Sequence, residues 1–164
     1  MPSVPRETRR AIAERWLAET LRTYPDQTAQ FLIRERDPFR NPVGTALREA
    51  IPTLVDELFE AMDAVSVARA LEGVVRIRAV QDFSASEAVG FIFFLKSALR
   101  TEWPRETAIP ADLDRRVDQI ALAAFDLYAR CREQVFEVRL REAARRSEML
   151  ERLVARDEVT VRKP

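Results

Sequence analysis

Residues 111–163, ADLDRRVDQIALAAFDLYARCREQVFEVRLREAARRSEMLERLVARDEVTVRK, contain neither glycine nor proline. Within them Leu113, Val117, Ile120, Ala124, Phe125, Tyr128, Cys131, Val135 and Val138 trace one stripe at helical spacing. The pairs Glu137/Arg141, Glu142/Arg146 and Glu148/Arg152 stand four apart, where opposite charges add about 0.2–0.5 kcal/mol each on an exposed helix face. A helix continuing to about Arg156 spans roughly 65–70 Å at 1.5 Å per residue. That is longer than the core of a chain this size. The expectation is therefore a single domain over 1–164, with a core at about 6–147 and a helical extension and tail at 148–164. The stripe weakens at Arg145-Arg146 and resumes at Met149, Leu150, Leu153 and Val154. An apolar patch beyond reach of its own core either frays or meets another chain, and pairing is the favoured reading.

Working back from that rod, Trp103-Pro104 closes the preceding helix and Pro110 opens the last one. Ser84-Ala85-Ser86-Glu87 has the S-x-x-E form of a capping box. The helix it opens carries Ala88, Phe91, Ile92, Phe94, Leu95, Ala98 and Leu99, apolar over much of its circumference, and is expected to be the central one. Residues 74–80 alternate and are β-branched, which would suit a strand. A strand needs partners and the rest of the chain reads as helical, so two short helices, 65–72 and 74–82, broken at Gly73, are expected instead.

Nearer the start, Leu47, Ile51, Leu54, Val55, Leu58, Phe59 and Met62 form a helical stripe, with Asn41 as N-cap and Pro42 at the first helical position. Pro52 sits inside that stripe and predicts a kink or break near residues 48–51. Residues 34–41 read as a loop behind the apolar patch Phe31-Leu32-Ile33. The first helix begins near Pro5, carries Ile12, Trp16, Leu17, Thr20, Leu21 and Tyr24, and ends at Pro25-Asp26.

Composition excludes more than it assigns. The 164 residues hold 27 Lys plus Arg and 27 Asp plus Glu, so the net charge is zero and no nucleic-acid binding is expected. Histidine is absent and Cys131 is the single cysteine, which removes histidine phosphorelay, Ser-His-Asp and Cys-His catalysis, the histidines of di-iron bundles, and intrachain disulfides. No haem, other cofactor or metal is expected: the usual proximal haem ligand, histidine, is absent, and Cys131, Tyr24 or Tyr128 could ligate haem only in principle. The glycines, Gly44, Gly73 and Gly90, form no phosphate loop. Asp56, Glu57 and Glu60 lie among polar-face residues without a convergent site, so a non-enzymatic protein is expected. The N-terminus has no signal-peptide pattern, and the longest apolar run, 88–95, is far short of the ~20 residues a spanning helix needs. A cytoplasmic protein with no membrane insertion follows as the expectation.

Residues 74–91, followed by Phe94-Leu95-Lys96, resemble the N-terminal domain of RsbR-type co-antagonists, in particular the RsbRD class. Asn41-Pro42-Val43-Gly44 is similar to the start of that domain's second helix. Ala124-Phe125-Asp126-Leu127-Tyr128, Cys131-Arg132-Glu133 and Val138-Arg139 are similar to its last helix. The likeness covers about residues 8 to 147. It implies an all-α, globin-like domain without haem and with a long C-terminal helix. Such a domain is usually a dimer acting as a regulatory or sensory input, and its last helix joins an output module such as a STAS domain. The sequence ends at Pro164, so an output module is not expected here, and an unknown protein partner takes its place.

Two residue sets follow. Trp16, Phe91, Phe94, Phe125 and Tyr128 could line an apolar pocket between the central and last helices, although aromatic residues at such spacing more commonly fill a core. Arg76, Arg78 and Asp82, with Met149, Leu150, Leu153 and Val154, could form a partner or dimer surface, although charge runs are usually solvated, and dimerisation is expected along the first and last helices. Cys131 reads as an inert buried thiol; a redox role would need solvent access and a lowered pKa, which Arg130 and Arg132 leave open.

Overall fold

The computed structural model describes residues 4–81, 83–105 and 108–161, with side chains described as far as residue 152. It is all-α. Helices α1 (Arg6–Leu21), α2 (Asp26–Arg34), α3 (Pro42–Phe59) and α4 (Ala64–Val80) lead to the short α5 (Ala85–Gly90). A 3-10 turn (Phe91–Phe93), α6 (Phe94–Glu102) and α7 (Ala111–Val161) complete the chain. Among the described residues there is no strand.

The core is one cluster in which α4 lies between α3 and α7, while α1 packs across α3 and α6. Leu47, Ile51, Leu54 and Leu58 of α3 face Leu71, Val74 and Val75 of α4, and all are buried. Leu113, Val117, Ile120, Ala124, Tyr128 and Cys131 bring the first third of α7 into the same cluster. The rod read from the sequence is real: α7 runs for 51 residues, about 76 Å at the ideal rise. Every described residue of α7 from Phe136 to Arg152 is exposed, so its second half does not fold back on the body.

Three local expectations are corrected. Residues 65–72 and 74–82 are not two helices; α4 passes through Gly73 without a break, and no glycine has a positive φ. Burying Leu71, Val74 and Val75 contributes about 1.5–3 kcal/mol per side chain, which outweighs the ~1 kcal/mol that glycine costs in a helix interior. Pro52 likewise does not break α3, which stays helical from 42 to 59. The proline lies on the exposed side, Ile51, Leu54 and Val55 are held in the core, and Thr53 Oγ1 donates to the Glu49 carbonyl at 3.0 Å. The apolar patch at 31–33 belongs to a helix, α2, which buries Leu32. Finally, the helix opened at Ser84 is split by the 3-10 turn, which lets both Phe91 and Ile92 point inward.

Asn41 shows why its neighbour is a glycine. Its buried side chain accepts from the Gly44 backbone N–H at 2.8 Å and donates to the carbonyls of Leu32 at 2.9 Å and Glu35 at 2.8 Å. It thus caps α3 and ties the end of α2 to it. A Cβ on residue 44 would come within 2.4 Å of Asn41 Nδ2, so any larger side chain would displace the cap. Arg48 braces the same turn, donating to the Leu32 and Glu35 carbonyls, and burial followed by the nearby Arg36 pushes its pKa down.

At Gly73 the space is open, since an added Cβ would make an ordinary 3.6 Å contact with Ala46. Gly73→Ala is therefore expected to raise stability by about 0.5–1 kcal/mol. Chemical denaturation checks this, and an unchanged or lower midpoint would show that α4 does not run straight through residue 73.

Candidate functional site

The sequence places Arg78 on α4 in register with Val67, Leu71, Val74, Val75 and Ala79, which is the buried stripe. The structure follows that register. Arg78 is 1% exposed, so it is an interior residue and not the surface residue read from the sequence. Its Nη1 donates to the carbonyls of Glu87 at 3.0 Å and Ala88 at 3.4 Å. These belong to the last four residues of α5, whose carbonyls have no full set of partners within so short a helix.

Three aromatic rings surround the guanidinium. Its Cζ lies 4.6 Å from the centroid of Phe91, and 5.5 Å from those of Tyr24 and Phe83. The cation faces their π-electrons, an attraction worth up to about 2 kcal/mol when desolvated. Phe91 also stacks on Trp16, with centroids 6.0 Å apart, and its carbonyl accepts from Trp16 Nε1 at 2.7 Å. The connector between α4 and α5 is pinned from the other side. Tyr128 Oη donates to the Phe83 carbonyl at 2.5 Å, and Arg132 Nη1 donates to the Ala79 carbonyl at 3.0 Å. Arg78 of α4 and Tyr128 and Arg132 of α7 thus hold the carbonyls of Ala79, Phe83, Glu87 and Ala88.

The capping box forms with both arms. Glu87 N donates to Ser84 Oγ at 3.3 Å, and Ser84 N and Oγ donate to Glu87 Oε2 at 2.9 and 2.6 Å. The Ser84 hydroxyl first, and its backbone N–H second, hold the Glu87 carboxyl below its ordinary pKa.

The five residues proposed for a pocket do not share one wall. Trp16 and Phe91 are stacked in the core, Phe94 is half-buried, and Tyr128 reaches the connector. Phe125 faces outward at 49% exposure. There it joins Val89, Phe93, Ala121 and Leu122 along an open apolar groove of about 720 Å³ between α5 and α7. Phe93 and Leu122 went unnoticed in the sequence because each sits one step off the buried stripe of its helix.

Of the surface set, Arg76 is exposed and paired to Glu72 at 2.8 Å, beside a groove that reaches the buried Cys131. Met149 and Leu150 are exposed on α7. Asp82, Leu153 and Val154 lie outside the residues whose side chains are described. A second stripe emerges on α7: Leu122, Phe125, Phe136, Leu140 and Leu150 recur near multiples of 3.6 residues and are all exposed. It begins beside the apolar groove and runs past the body. By contrast, Ile12, Ala13, Trp16 and Leu21 of α1 are all buried within the domain.

Among the described residues no group of three or more Cys, Asp or Glu side chains comes together as a metal site, and no helix is long and apolar enough to cross a membrane.

Comparison with known proteins adds a family. The profile described as "RsbT co-antagonist protein rsbRD N-terminal domain" matches residues 10–143. A relative of similar length, an uncharacterized protein of Archaeoglobus fulgidus, is 24% identical over 149 residues, covering 89% of this chain and 91% of the relative. No solved structure matches.

The capping box yields a pH prediction. A carboxyl whose folded pKa is depressed contributes stability above its unfolded pKa and loses that contribution as pH falls through the folded value. Glu87→Gln is therefore expected to be less stable than the parent at pH 7, with the difference closing as pH falls below the ordinary glutamate range. Urea denaturation at pH 7 and pH 3 checks this; a difference independent of pH would rule out the carboxylate as its source.

Proposed function

The chain belongs to the RsbRD N-terminal domain family, a family of regulatory stress-signalling domains and not of known enzymes, and on that premise we propose that it is a haem-free, globin-like input domain that works as a homodimer and passes its state to a protein partner. The observation that carries the reading is the exposed stripe on α7. Phe136, 62% exposed, and Leu140 stand well beyond the last buried residue of that helix, where its own body offers nothing to cover them. Two copies aligned along α7 would cover the stripe by the seam packing of paired helices. Such a rod also carries any change at the body to whatever is attached or docked farther along. Arg76, Met149, Leu150, Leu153 and Val154 belong to the proposed partner-facing surface; Arg78 does not, because it is interior.

Sedimentation or light scattering at tens of micromolar is expected to give twice 18.9 kDa. Phe136→Glu with Leu140→Glu is expected to give a monomer whose melting, followed by near-UV dichroism of the body, is little changed. A monomeric parent chain would sink the proposal.

A second reading rests on the groove between α5 and α7. Its volume of about 720 Å³ lies within the range that holds small ligands, and its walls are almost wholly apolar. In this reading the domain binds an apolar molecule there. Thermal-shift titration with lipids, quinones and haem tests it. A ligand that binds the folded state is expected to raise the melting temperature with concentration, and Leu122→Asn is expected to abolish the rise. No shift with any of them removes this reading.

A further inference from the structure

Arg78 has unused hydrogen-bonding capacity of a particular shape. Nη1 is occupied by the Glu87 and Ala88 carbonyls, while Nε and Nη2 are buried without a partner. In a guanidinium, the Nε–H and one Nη2–H point the same way, forming the side-on fork that grips both oxygens of a carboxylate. The two unpartnered donors are that fork. Tyr24, whose ring lies 5.5 Å from the same Cζ, also buries its hydroxyl without a partner. Among the described residues no carboxylate pairs with Arg78. A guanidinium keeps its charge in proteins, and an interior charge lacking a counter-ion is costly unless something supplies one.

We propose that the Nε/Nη2 edge of Arg78, with the Tyr24 hydroxyl, is the binding site for a small carboxylate. The rings of Tyr24, Phe83 and Phe91 stand 4.6–5.5 Å from the Arg78 Cζ, so a ligand at the fork would be a compact one flanked by aromatic surface. Phe83 belongs to the α4–α5 connector, and Arg78 itself holds α5 through two carbonyls. Occupancy of the fork is therefore felt at the segment that Tyr128 and Arg132 of α7 grip from the other side. This site is separate from the apolar groove and from the α7 stripe, and it stands whether or not the domain dimerises.

The test uses the whole chain at constant ionic strength. Sodium acetate is titrated while the Arg78 Nε–H signal is followed by proton–nitrogen correlation, with formate, bicarbonate, nitrate and inorganic phosphate as parallel arms. Acetate or formate is expected to shift that signal saturably and to raise the melting temperature. Arg78→Met is expected to lose the melting response, and Tyr24→Phe to weaken binding about tenfold. A saturable response to bicarbonate or nitrate alone would replace the carboxylate by another planar oxyanion and overturn the assignment. A response to phosphate equal to that for acetate would overturn the fork geometry. If no anion moves the Nε–H signal of the parent chain, the site does not exist. If Asp82→Asn moves that signal in the absence of any added anion, the chain supplies its own counter-ion, and the proposal likewise falls. Neither reading depends on whether Arg78→Met folds.

Discussion

The fold depends on α4 being gripped from both sides. One face, with Leu71 and Val74 among its residues, lies in the interior that α3 builds, and α7 closes the other flank. The buried side of α4 carries Val67, Leu71, Val74, Val75 and Ala79, while Arg69, Glu72 and Arg76 stay in water on the other side. Each buried aliphatic side chain there contributes more than a glycine in the helix costs, which is why Gly73 is carried along without a break. The same grip fixes the rotation of α7. Once Leu113, Val117, Ile120 and Ala124 are committed to the body, Leu122 and Phe125 must face away from it.

That rotation explains why the functional features gather on one side. The apolar groove against α5 and the connector at Phe83 both border the first half of α7, where the outward stripe begins. A second copy and an apolar ligand would compete for Leu122 and Phe125. The Arg78 fork lies deeper, in the interior, and involves neither residue.

Four polar side chains in this domain are tied to backbone carbonyls at helix ends. Asn41 and Arg48 hold the end of α2, Arg78 holds the carbonyls of α5, and Arg116 donates to Leu58 and Glu60 where α3 ends. Helix C-termini present unpaired carbonyls with partial negative charge, so arginine there satisfies two needs at once. Arginine thus has structural uses at these positions.

Residue pattern alone determined the helical class, the caps at Asn41 and Ser84, and the length of the last helix, because those follow from periodicity and from groups within a few residues of one another. It could not decide whether Gly73 and Pro52 would interrupt their helices, since that depends on how firmly neighbours hold the flanking residues. Nor could it separate the two stripes of α7 or tell that Arg78 is interior, although its place in the register of Val67, Leu71 and Val74 carried the signal. A charge at an apolar position is normally turned toward water. Only the convergence of Tyr24, Phe83 and Phe91, which stand 54, 5 and 13 residues away along the chain, enclosed this one. Tertiary packing decided it, because burial is a property of what surrounds a residue and not of the residue itself.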